Sequence, residues 1–276
     1  MEKLSHIKKL STCLSIFACN IMKSTFVITC AARTGSTMLR YLLDSHPQIC
    51  CHGEAFIRQG YLRFIFKNRR SFGLAPGYKE FAPSYKSKPI EEFLTEDFLH
   101  SSDDGIRAVG FKFKTDEYFD PGYTEISRYL KSKDQIKVIH LRRQDLLAQY
   151  ISYVFVDKKY NPTVSFDKLN TIKTKKITVK RKHLFNYLDL VTKREEDIIS
   201  ELGHHDIYDI WYEDLVRDRD DILSPLLQFL KVDEISLESS TNKLIKDYSQ
   251  HIANLSEVYQ WMTDSAYTQR INKAQV

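Results

Sequence analysis

A chain of 276 residues with 42% hydrophobic and 28% charged residues has ordinary globular composition and enough apolar material for a sizeable core. Its length suits one large α/β domain better than two small ones. The formal charge of +5 favours anionic ligands without demanding nucleic acid. All five cysteines, Cys13, Cys19, Cys30, Cys50 and Cys51, lie in the first fifth of the chain and form no CxxC pair. That pattern speaks against a zinc site and against a disulfide framework, so no metal is expected and a reducing, cytoplasmic setting is the simpler reading.

The elements follow in chain order. Leu10 to Met22 is moderately apolar but too short and too polar for a membrane span, which needs roughly 20 apolar residues. Residues 1–22 are read as a leader or extension ahead of a single domain over residues 23–276. Lys23 to Cys30, KSTFVITC, predicts a buried strand. Ser36 to Ser45 predicts a helix with Met38, Leu39, Leu42 and Leu43 on one face and Pro47 just beyond its end. Residues 57–89 are aromatic and basic with scattered Gly and Pro, and read as irregular with short helices, a candidate substrate lid. Ile90 to His100 reads as a short helix.

Ile106 to Lys114 predicts a second strand, Pro121 to Lys131 a helix, and Gln135 to Arg143 a third strand. A helix follows over about 145–155. Lys168 to Lys182 carries seven Lys and Arg and no acid, a solvated loop or an anion-recruiting one. A helix over about 183–202 leads to the strand YDIWYEDL, Tyr208 to Leu215, and Ser224 to Val232 is a further helix. Strands alternating with helices predict an α/β fold: a mainly parallel sheet of four or five strands with helices on both faces.

The first strand joins the first helix through Arg33-Thr34-Gly35-Ser36-Thr37. At such a junction the leading N–H groups of the helix lack partners, and the helix dipole adds positive potential. Gly35 lets the backbone curl closely around a bound group. Thr34, Ser36 and Thr37 offer hydroxyls, and Arg33 a permanent charge whose planar fork fits phosphate or sulfate. The bland alternative is a capped helix beside an exposed arginine. A nucleotide-hydrolysing P-loop is the other competitor. Its GxxxxGK[ST] pattern needs a first glycine and a lysine that are both missing here. The third strand also ends in Arg142-Arg143 rather than an aspartate suited to magnesium. A kinase or ATPase, or a non-catalytic nucleotide-binding protein, stays open as an alternative.

Three segments carry a family resemblance. ARTGSTMLRYLLDSHPQICCHGEAF, from Ala32 to Phe56, resembles the 5′-phosphosulfate loop, first helix and following strand of sulfotransferases that use 3′-phosphoadenosine-5′-phosphosulfate (PAPS). It is most similar to the bacterial-type carbohydrate sulfotransferases. KVIHLRRQDLLAQYISY resembles the 3′-phosphate segment, and YDIWYEDLVRDRDDILSPLLQFLKV resembles the Y-E-D-L stretch and its following helix. The likeness spans Ser24 to Val232. It implies a P-loop-like three-layer fold and transfer of a sulfuryl group from PAPS to an acceptor hydroxyl on a carbohydrate or glycolipid.

Residue by residue, the resemblance gives Arg33 and Thr34 to Thr37 to the 5′-phosphosulfate. It gives Arg143 and Ser152 to the 3′-phosphate, although Ser152 follows nine residues after the arginine, one more than the usual spacing. Arg142 remains a rival, and both arginines could instead pair with Asp145 as a charged strand end. The general base is Glu54, with His52 as second choice: a histidine serves in the small-molecule branch and a glutamate in several carbohydrate branches. If extended, the two face the same side. Lys112 could neutralise charge on the transferring group or merely end its strand. Tyr212 is read as packing, with Glu213 and Asp214 pairing nearby arginines.

Overall fold

The computed structural model describes residues 23–54, 56, 62–66, 78–82, 89–99, 105–157, 176–238 and 249–271. Five strands form one wholly parallel sheet: β1 (Ser24–Cys30), β2 (Ile49–Glu54), β5 (Ala108–Lys114), β6 (Lys137–Arg142) and β7 (Ile207–Trp211), in the order β2-β5-β1-β6-β7. Two more, β3 (Leu62–Phe66) and β4 (Tyr78–Ala82), pair antiparallel in a separate sheet. The helices are α1 (Ser36–Ser45), α2 (Ile90–Glu92), α3 (Thr115–Tyr118), α4 (Thr124–Ser132), α5 (Leu146–Asp157), α6 (Arg181–Leu202), α7 (Tyr212–Arg217), α8 (Arg219–Phe229) and α9 (Leu255–Thr263). Among the described residues no helix is long and apolar enough to cross a membrane.

Parallel strands covered on both faces are buried along nearly their whole length, as β1 and β5 are. Successive side chains point to opposite faces. Phe26, Ile28 and Cys30 of β1 enter a core with Leu39, Leu42 and Leu43 of α1 and Leu223, Leu226 and Leu227 of α8. Val27 enters the opposite core with Phe111 and Phe113 of β5, Phe98, and Ile126 and Leu130 of α4. Each fully buried leucine of α1 contributes roughly 1.5–3 kcal/mol of transfer free energy. A third cluster joins α5, the first half of α6 and α9. β1 is central, with β5 and β2 on one side of it and β6 and β7 on the other. The crevice at the carboxyl ends of these strands is where open α/β sheets bind ligands.

The structure corrects several element boundaries. Residues 57–89, expected to be irregular, contain the pair β3–β4 in their described part. The expected helix at 90–100 is α-helical only over Ile90–Glu92 and continues as π-helix over Phe93–Phe98. The last strand stops at Trp211 instead of Leu215. Glu213 and Asp214 fall in the first turn of α7, where acidic groups suit the positive end of a helix. The helix expected at 224–232 begins earlier, at Arg219, and ends at Phe229. Helix α9 has no counterpart in the sequence reading. The basic stretch 168–182 and the aromatic region 61–85 lie largely outside the described residues.

Candidate active site

The loop from β1 to α1 holds two left-handed residues, Arg33 (φ 67°) and Gly35 (φ 84°), on either side of Thr34. Alternation of this kind turns successive N–H groups into one concavity that suits an anion. For Arg33 the conformation costs roughly 1–2 kcal/mol, strain of the sort held at functional sites. Gly35 is required twice over. Its φ favours glycine, and a Cβ there would sit 2.2 Å from Cδ2 of Tyr212. The packing role read for Tyr212 is therefore against the β1–α1 loop itself. Gly35 is the N-cap of α1 and provides no side-chain cap. Thr34 is buried and its hydroxyl donates to the Ala31 carbonyl (3.0 Å), so it braces the loop, whereas Thr37 is exposed.

Two cations meet at the β1–β6 side of the crevice. Arg33 Nε donates to Ser152 Oγ at 3.0 Å, and Arg143 Nη1 donates to the Arg33 carbonyl at 3.0 Å. These residues are more than a hundred positions apart in sequence, and β6 and α5 bring them to the end of β1. Arg143 is buried, lies over the Tyr212 ring, and keeps Glu213 at 3.8 Å. Its Nε has no hydrogen-bond partner among the described residues. Burial, and then the neighbouring Arg143, pull the Arg33 guanidinium below its ordinary proton affinity. Two guanidinium groups on mainly neutral partners, beside an uncapped helix N-terminus, fit a ligand with more than one anionic group.

Arg142 points elsewhere: it pairs with Asp209 and lies over Trp211 at 4.0 Å. Asp145, the partner that the alternative reading gave these arginines, caps α5 by accepting from the Ala148 N–H (2.9 Å). Glu213 takes the N–H groups of Gln144 (2.8 Å) and Asp145 (3.1 Å), which fixes the turn that carries Arg143.

The β2–β5 side has different chemistry. Lys112 Nζ lies 2.7 Å from Glu54 Oε1 and donates to Ser36 Oγ at 3.3 Å. Lys114 Nζ lies 2.8 Å from Glu54 Oε2 and 3.6 Å from Glu117. Burial alone would raise the Glu54 carboxyl, but Lys112 and Lys114 outweigh it and bring it down to about 2. His52 does not share the side of Glu54. The register with β5 shifts between the two, a bulge that breaks the expected alternation. His52 is buried, stacks on Phe98 at 4.6 Å, and has its Nε2 3.3 Å from the Phe98 carbonyl. Burial carries its proton affinity down to about 4.

Sequence reasoning missed four neighbours of this site. Gln149 Nε2 holds the Ala32 carbonyl at 2.8 Å; its spacing with Asp145 and Ser152 on one helix face was the available signal. Lys114 was passed over as a strand end. Arg270 donates to the Arg143 carbonyl at 2.6 Å and pairs with Glu195 at 3.0 Å, and nothing local marks it. Tyr187, whose hydroxyl lies within electrostatic reach of Arg143 and Arg33, comes from an unremarkable amphipathic helix, α6.

Residues 25–236 match the model of the sulfotransferase family, and the chain belongs to that family, the PAPS-dependent sulfotransferases with a P-loop-like fold. It is thus a PAPS-dependent transferase. Similar solved structures include a sulfotransferase from Alicyclobacillus acidocaldarius, at 17% identity and TM-score 0.46, covering 92% of this chain and 95% of that one. Others are the sulfotransferase domain of the Synechococcus PCC 7002 olefin synthase (16%, TM-score 0.41, 88% and 89% covered) and the sulfotransferase STF9 from Mycobacterium avium (12%, TM-score 0.42, 78% and 65% covered). No curated protein matches the sequence.

Proposed function

We propose that this enzyme sulfates a hydroxyl of a carbohydrate or glycolipid, with donor binding on the arginine side of β1 and proton removal on the lysine side. The observation that carries the division is the convergence of Arg33, Ser152 and Arg143 at the end of β1. PAPS, when bound, supplies the sulfuryl group. Arg33 and the backbone of Thr34 to Thr37 hold its 5′ end, and Arg143 with Ser152 holds its 3′-phosphate. Positioning and electrostatics of this kind are the main resources for such a transfer.

Glu54 is the general base and Lys112 the link between the two sides. A carboxylate whose proton affinity lies near 2 is a weak base at neutral pH. Lys112 touches both Glu54 and Ser36. A Lys112 drawn toward charge at Ser36 loosens its hold on Glu54 and raises the basicity of that carboxylate. His52, packed on Phe98, orients the strand end that carries Glu54. The carbohydrate reading is supported by the His52-Gly53-Glu54 context. The crowding of cysteines near the start of the chain favours a reducing cytoplasm.

Thermal-shift titration with 3′-phosphoadenosine 5′-phosphate (PAP), ATP with magnesium, and AMP tests the donor side: PAP should stabilise most. Stabilisation by ATP–magnesium alone would contradict it. Radiolabelled sulfate transfer to a panel of glycans, glycolipids, phenols and peptides tests the acceptor, and labelling confined to the last two classes rejects a carbohydrate.

A further inference from the structure

Arg143 sits where β6 gives way to α5, and the backbone of that turn is held from two distant parts of the chain. Glu213 of α7 takes the N–H groups of Gln144 and Asp145. Arg270, 127 positions beyond Arg143, supplies two more contacts. Its guanidinium donates to the Arg143 carbonyl at 2.6 Å, and its own carbonyl accepts from the Leu146 N–H at 3.1 Å. One residue thus pins both ends of the turn.

Arg270 is itself anchored. Its Nη1 pairs at 3.0 Å with Glu195 of α6, a buried residue, and its guanidinium lies over the Trp211 ring at 5.2 Å. Three residues earlier, the Tyr267 hydroxyl donates to Asp189 of α6 at 2.5 Å, and the Arg270 N–H returns to the Tyr267 carbonyl at 2.8 Å. The segment after α9 is therefore a strap, tied to α6 at Asp189 and Glu195 and to the β6–α5 turn at Arg143 and Leu146. The planar fork of arginine lets one side chain hold a carboxylate and a carbonyl at once. Glu195 fixes the guanidinium, the guanidinium fixes the carbonyl, and the carbonyl fixes the direction in which Arg143 leaves the turn.

We propose that Arg270 is a positioning residue for donor binding. Through the Arg143 carbonyl and the Leu146 N–H it aims the Arg143 guanidinium at the 3′-phosphate, and it acts through Arg143 rather than by touching the nucleotide. The inference rests on the donor-side reading given above and extends it to the strap after α9.

A double-mutant cycle tests this, because a residue that acts only through Arg143 loses its effect once Arg143 is gone. Calorimetric titration should show Arg270→Met weakening PAP about tenfold, with AMP affinity within about twofold. Added to Arg143→Ala, the same substitution should change PAP affinity by less than about twofold. Arg270→Met strands a buried carboxylate, so it is also made together with Glu195→Met. An apolar pair of similar volume is ordinarily tolerated in place of a buried ion pair, so this double variant should fold and show the same selective loss of PAP. Equal weakening of PAP and AMP, or no loss of PAP in the apolar pair, overturns the proposal. Full additivity with Arg143→Ala also overturns it, since Arg270 would then be an independent contact. Arg143→Ala alone separates the two levels. If it is selective for PAP and the Arg270 variants are not, the Arg270 proposal alone fails. If Arg143→Ala does not discriminate PAP from AMP, the 3′-phosphate reading fails and takes Arg270 with it.

Discussion

The two sides of β1 end in opposite electrostatic states. On the β6 side, Arg33 rests on a hydroxyl and Arg143 on a carbonyl, with the Glu213 carboxylate only at 3.8 Å. On the β5 side, Lys112 and Lys114 are both within 2.8 Å of Glu54. The first side holds charge that is only partly compensated and so is prepared to receive an anion. The second is already neutralised, so it can act only by exchanging partners. That contrast is why donor binding is assigned to one side and proton transfer to the other, although β5 and β6 flank the same central strand, β1.

The sharpest way to separate the sides is Glu54→Gln. Turnover should fall by about 10²–10⁴, the usual share of general-base catalysis, while PAP affinity stays the same or tightens modestly as Lys112 is released. His52→Asn should cost less. Steady-state kinetics with calorimetry checks both, and a variant that loses PAP binding together with turnover would erase the distinction. If His52→Asn is the more damaging, the base is the histidine.

Gly35→Ala breaks the arginine side without touching a charge. The left-handed backbone costs about 1–2 kcal/mol and overpacking against Tyr212 about 1–3 kcal/mol, so denaturant unfolding should show a loss of several kcal/mol. Adding Tyr212→Ala in that background should recover the overpacking share alone.

Acid titration addresses the lysine side. The Glu54 carboxyl is held at about 2, below its ordinary 4.5, so its contribution to stability is present above pH 4.5 and lost as pH falls toward 2. The unfolding free energies of wild type and Glu54→Gln should therefore converge across that window. A constant gap from pH 6 to pH 2 means that the ion pairs add nothing. The smallest effect is expected for Arg142→Ala: with its guanidinium on Asp209 and Trp211, PAP affinity should change by no more than about threefold.

Much of this arrangement is written locally. Apolar runs such as FVITC and IRAVGFKFK mark central parallel strands, and the proposed anion loop, Arg33-Thr34-Gly35-Ser36-Thr37, is suggested by residue type alone. What is not legible depends on contacts far along the chain. The bulge that separates His52 from Glu54 is a property of pairing with β5, and two residues spaced by two give no warning of it. Arg142 and Arg143 are indistinguishable as a dipeptide. Alternation at the strand end sends one to Asp209 and the other to the Arg33 carbonyl, and only the position of β7 and of the β1 loop decides which is which. Glu54 reads as a possible base from its motif, but its two lysines come from a strand about sixty residues away. Tyr212 reads as a strand residue until the acids after it start a helix, which lays its ring against Gly35.

The division between the sides stands or falls on Arg143. Calorimetric titration of wild type and Arg143→Ala with PAP and with AMP measures it directly, since only PAP carries the 3′-phosphate. Loss of one charge-assisted contact should weaken PAP binding about ten- to a hundredfold and leave AMP nearly unchanged. Equal weakening of both nucleotides, or of neither, would contradict the assignment of the arginine side to the donor.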